Sequence, residues 1–146
     1  MNTSTTFLIA SVFGLLTSCS GTRPSNLGVQ SGALQKCPEK PNCVVSSDGV
    51  GEEHAIEAIL TNDDPQTSMQ KLVSILNSMD GVTIISSEKN YLRAEFKSSL
   101  MGFVDDVEFY QASGSKKIQI RSASRVGYSD MGVNRKRMEL IRKSFK

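Results

Sequence analysis

The sequence predicts an α+β domain: a four-stranded antiparallel sheet with two helices packed on one face, a two-layer sandwich. Three observations point there. Four strand-like runs follow one another between Val82 and Ala123, joined by short connections. A helical apolar stripe precedes them and a second follows. One of the runs also alternates cleanly, with Leu92, Ala94 and Phe96 on one face and Tyr91, Arg93, Glu95 and Lys97 on the other.

Taken in order, residues 1–18 read as a lipoprotein signal peptide. Phe7 to Leu16 is a mostly apolar stretch, too short to span a bilayer and suited to a signal-peptide core. It ends in Leu16-Thr17-Ser18-Cys19, which resembles the lipobox of bacterial lipoproteins, where small residues precede the cut and the cysteine thiol accepts a diacylglycerol. The n-region MNTSTT departs from the usual pattern in having no Lys or Arg. A plain secretory signal or an uncleaved anchor is the competing reading. Cys19 is then the lipidated first residue, and the expected place is the cell envelope, on the periplasmic side. Ser20 stands where an Asp is absent, which resembles outer-membrane sorting in Gram-negative systems. Residues 19–36 are rich in Gly and Ser without apolar period and read as a flexible tether, reaching at most ~55–60 Å.

One domain, 37–146, follows. Lipidation of Cys19 leaves Cys37 and Cys43, and an even pair in an exported chain is most simply a disulfide. A redox pair would more usually read Cys-x-x-Cys, and a zinc site needs four ligands. Residues 44–64 look loop-rich. Asp64-Pro65 then caps and starts a helix running to about Met79, with Met69, Leu72, Val73 and Leu76 on one stripe. The strands are Val82–Ser87, Asn90–Lys97, Phe103–Tyr110 and Lys117–Ala123. Ser129 or Asp130 caps a last helix carrying Val133, Met138, Ile141 and Phe145.

Alternation assigns faces to the Asp105-Asp106 pair. Phe103, Asp105, Val107 and Phe109 share the helix side, so Asp106 and Glu108 point to the uncovered side, within reach of Arg121 on the next strand. Asp105 is then an acid on the apolar face. It needs a partner, because a lone buried carboxylate costs several kcal/mol. Arg125, Arg135 or the backbone N–H groups opening the last helix are the candidates. It is either a structural acid or a functional carboxylate.

The segments CPEKPNCVVSS, GFVDDVEF and RSASRVGYSDMGVNRKRMELIR together resemble a family of domains of unknown function found in bacterial lipoproteins and plant plastid proteins. Val45 departs from the opening motif, where the pattern has serine. The resemblance covers Cys37 to Phe145. It implies an envelope or organelle setting and brings no catalytic residue with it.

A formal charge of +2 is too small to imply nucleic acid. The bases crowd beyond Lys116, where only Asp130 and Glu139 oppose them. The favoured reading is a non-catalytic binding or structural module. In it Arg121, Arg125, Arg135 and Arg137 meet an anionic ligand or envelope partner, with Arg142 and the helix start near Gly132 to Asn134 as further donors. A second reading is a lipid or small-ligand carrier with Met69, Met79, Phe96, Phe103 and Met138 lining a pocket. The third is a hydrolase or metal-dependent enzyme using Asp105 and Asp106, with His54 the sole histidine. His54 is expected to be solvated. No ligand spacing or phosphate loop is evident, and neither metal nor cofactor is expected.

Overall fold

Asp64 begins the first helix as the sequence requires. In the computed structural model, which describes residues 20–146, its carboxylate accepts from the N–H groups of Gln66 and Thr67 at 2.9 and 3.1 Å. The helix, α1 (Pro65–Asn77), buries Met69, Leu72 and Leu76. The chain then turns at Gly81, where φ is 72° and a Cβ would stand 2.5 Å from the Lys97 carbonyl oxygen. Only glycine fits there. Signal peptide and Cys19 lie outside the described residues.

An antiparallel meander follows: β5 (Val82–Ser87), β6 (Tyr91–Lys97), β7 (Val104–Tyr110) and β8 (Lys117–Ser124). The second helix, α2 (Val133–Phe145), starts after a tight turn in which Asp130 accepts from the N–H groups of Gly132 and Asn134 at 3.0 and 2.7 Å. Both helices lie on one side. Leu72, Leu76, Met138 and Ile141 close the core over Leu92, Phe96, Val107, Phe109 and Ile120. Each such fully buried side chain contributes about 1.5–3 kcal/mol.

Three expectations are corrected. The sheet has six strands, not four: β3 (Cys43–Val45) pairs with β8 along Cys43↔Ala123 and Val45↔Arg121, and β4 (Ile59–Leu60) pairs with the start of β8. Both fall in or beside the stretch read as loop-rich, because two or three residues are too few to show a period. Phe103 is not part of the core under the helices. It precedes β7 and is 40% exposed.

The third correction concerns residues 20–36, which form a strap across the other side of the sheet, not a loose tether. Gly21 lies against Val126, Arg23 reaches Glu95, and Gly28 donates to Glu108. A small hairpin, β1 (Val29–Gln30) and β2 (Ala33–Leu34), turns the chain back, with the Leu34 N–H on the Gln119 side chain at 3.0 Å. The return leg ends in the Cys37–Cys43 disulfide, which joins the strap to β3. The layers are therefore helices, sheet and strap.

Candidate functional site

Strand register lines up the charges beneath the strap in two rows. Glu95, Asp106 and Ala123 lie side by side across β6, β7 and β8, and so do Arg93, Glu108 and Arg121. Arg125, just beyond β8, grips both oxygens of Asp106 at 2.8 and 2.9 Å and reaches Glu95 at 2.5 Å. Arg93 adds a hydrogen bond to Asp106 at 2.9 Å. Arg121 donates to Glu108 at 3.0 Å, and the other Glu108 oxygen accepts from the Tyr91 hydroxyl at 2.9 Å and the Gly28 N–H at 2.6 Å. With Arg23 on Glu95, four guanidinium groups bracket three carboxylates.

The central carboxylates are not at the surface. Asp106 is 1% exposed and Glu108 is fully buried, which corrects the expectation that they meet water. Alternation placed them on the correct side, and the strap covers it. Burial acts to raise the Asp106 carboxyl, but the hydrogen bonds from Arg125 and Arg93 outweigh it and hold the group below its ordinary value. Glu95 is lowered in the same way, burial being opposed by Arg125 and Arg23. Arg125 is pushed up, chiefly by its bond to Asp106, and the Tyr91 phenol is pushed up by burial and then by the Glu108 charge. Asp106 and Tyr91 are thus held away from the neutral range a general acid or base needs.

Asp105 points the opposite way. It accepts from Arg137 at 2.7 Å, not from Arg125 or Arg135. Arg137 also donates to the Asn134 side-chain oxygen at 2.8 Å and to Ser122 at 3.2 Å, and its guanidinium lies 4.5 Å from the Phe96 ring centroid. Asn134, fully buried, accepts from the Ser122 hydroxyl and donates to Ser124 at 2.9 Å and the Asn42 carbonyl at 3.1 Å. The Asn42 side chain in turn donates to the Gly127 carbonyl at 3.0 Å. The adjacent aspartates therefore belong to two separate networks on two faces.

The three sequence segments singled out above thus meet as mutual partners: Asn42 and Cys43 from the first, Asp105, Asp106 and Glu108 from the second, Arg121 through Arg137 from the third. A family model described as a protein of unknown function, DUF1499, matches residues 33–145. The chain belongs to this family. No curated protein and no solved structure matches it.

Within the DUF1499 domain the remaining candidates are dispersed. Arg135 donates to the carbonyls of Ala55 and Glu53, and Arg142 to that of Glu57, so both tie α2 to the 53–57 segment. His54 is buried, contrary to expectation, with Nδ1 3.0 Å from the Cys43 carbonyl oxygen. Met69, Phe96 and Met138 belong to the packed core, Met79 packs against it, and Phe103 lies outside. Among the described residues, no group of three or more His, Cys, Asp or Glu is placed to hold a metal, and no helix is long and apolar enough to cross a membrane. One cleft of about 390 Å³ lies between the strap and the charged rows. Asp106, Arg121 and Arg125 line it together with Lys36 and Cys37, and the buried Arg121 Nε has no hydrogen-bond partner among the described residues.

Sequence reasoning missed Asn42 and Asn134 as the hinge of the inner network. Their positions inside the resembling motifs were the available signal.

Proposed function

We propose that this chain is an exported envelope protein, cut after Ser18 and lipidated on Cys19, whose domain binds or scaffolds and does no chemistry. One observation supports the non-catalytic role above the rest. Asp105, Asp106 and Glu108 are buried and hydrogen-bonded to Arg137, Arg125 and Arg121 in turn, and Arg135 is held by backbone carbonyls. Groups locked in this way hold a fold together more readily than they exchange protons.

The anchor is tested by Cys19→Ala and by globomycin. The expected results are loss of membrane association and accumulation of the uncut precursor. A wild-type chain that is soluble after cell fractionation overturns the anchor. The non-catalytic role is tested with Asp106→Asn and Asp105→Asn, scoring stability beside in-cell crosslinking to envelope partners. Crosslinks are expected to fall only in proportion to folded protein. A variant that is fully stable yet loses the cellular phenotype of the gene overturns the structural reading.

A second reading has the cleft beneath the strap behind it. Its lining by Lys36, Arg121 and Arg125 suits a small anion. Inorganic phosphate is then expected to raise the melting temperature of the wild type and to do so less in Lys36→Glu. Equal shifts in both remove this reading.

A further inference from the structure

Two loops leave the same end of the sheet. The β6–β7 hairpin closes at Lys97↔Val104, and its loop holds Leu100, Met101 and Phe103. Beside it, the Arg125 N–H donates to the Val104 carbonyl at 3.1 Å, so the loop after β8 sets out from the same edge and carries Tyr128 and Met131, with Val133 opening α2 behind it. Of the nine large apolar side chains exposed among the described residues, these are six. Leu100 is 90% and Met131 89% exposed. The opposite end of the meander turns through Glu88-Lys89-Asn90 and Ser113-Gly114-Ser115, which are polar. An apolar cluster confined to one end of a small domain marks a contact surface.

The start of the described chain lies at that same end. Gly21 sits against Val126 so closely that a Cβ on it would approach Val126 Cγ1 to 2.7 Å. Cys19 is two residues earlier, within roughly 7 Å of extended chain. A lipid on Cys19 would therefore enter the bilayer at the end of the sheet that carries Leu100 and Met131, with no long spacer between membrane and domain.

We infer that this end of the domain rests on the bilayer, with Leu100, Met101, Phe103, Tyr128 and Met131 in the boundary between headgroups and acyl chains. Such side chains suit that zone, aromatic and methionine groups being partly apolar and adaptable. The lipid holds the loops at high local concentration against the surface, so shallow insertion needs little affinity of its own. The inference rests on the lipid anchor proposed above.

The chain has no tryptophan, so a single introduced one reports its own surroundings. Leu100→Trp and Met131→Trp are placed in the full lipidated protein on vesicles of phosphatidylethanolamine and phosphatidylglycerol. Leu60→Trp, exposed at the far end of β8, serves as the reference. The first two are expected to show blue-shifted emission, quenching by lipids brominated near the headgroup, and loss of quenching by aqueous iodide, while the third shows none of these. If the protein floats with the vesicles and all three remain equally open to iodide, the docking face is wrong and the anchor stands. If the wild type does not float, the anchor is wrong and the docking face falls with it.

Discussion

On the helix side of the sheet, Leu92, Phe96, Val107, Phe109 and Ile120 are sealed by apolar side chains from α1 and α2. On the strap side, the same strands present Arg93, Glu95, Asp106, Glu108 and Arg121, sealed by a thin segment and by each other. Apolar contact is non-directional, so the first layer tolerates exchange among side chains of similar volume. Buried ion pairs are directional, and removing one member leaves the other charged and dry. Outside the Asp105–Arg137–Asn134 corner, one sheet therefore has a forgiving face and an unforgiving one.

The largest effect is expected from breaking the unforgiving face. Arg125→Ala leaves the buried Asp106 to Arg93 alone and takes one guanidinium from Glu95, and should cost about 3–5 kcal/mol in urea unfolding. Arg125→Met combined with Asp106→Leu should recover much of that, since the pair is removed as a unit while Glu95 keeps Arg23 and Arg93 keeps Glu95. On the forgiving face, Leu72→Ala is expected to cost about 2–5 kcal/mol through its cavity, whereas Met138→Leu should cost less than about 1.5 kcal/mol. If Arg125→Ala proves milder than Met138→Leu, the contrast between the faces is lost.

Cutting the strap's clamp comes next. Cys37→Ser with Cys43→Ser opens a short loop and should cost about 2 kcal/mol. Hydrogen exchange should then speed up at the Gly28 and Leu34 N–H groups and stay slow in β7. The smallest effect is acid dependence. Asp106 and Glu95 are lowered in the folded state, so their stabilisation is fully present above the ordinary values of 3.8 and 4.5. It is lost as the pH falls from there through the folded values. The acid limb of the wild-type stability curve should be steeper than that of Asp106→Asn.

Both helices and the four meander strands were legible because each is long enough to show its period. Val82–Ser87 agrees at both ends, and Asp64 caps as read. β3 and β4 were not, since their order comes from pairing with β8 and not from their own pattern. The strap was illegible for a related reason. Its glycines and serines show no preference, and the acceptors that fix it, Glu95, Glu108 and Gln119, lie far along the chain. For the site, alternation gave the side on which each aspartate lies. It could not choose Arg137 for Asp105, because the seating of α2 against the sheet is set by Asn134 meeting Ser122, Ser124 and Asn42.

The out-and-back course of the strap has a mechanical consequence. Tension entering at residue 20 would load the Arg23–Glu95 pair and then Gly28 on Glu108, peeling contacts one at a time. The Cys37–Cys43 cross-link would stop the unravelling before it reached β3. Pulled from that terminus, the protein is expected to lengthen by several tens of ångströms at low force, at most ~55–60 Å for a strap drawn straight, and then to resist. A force-extension trace with a single high-force rupture and no early yield would contradict this built-in slack.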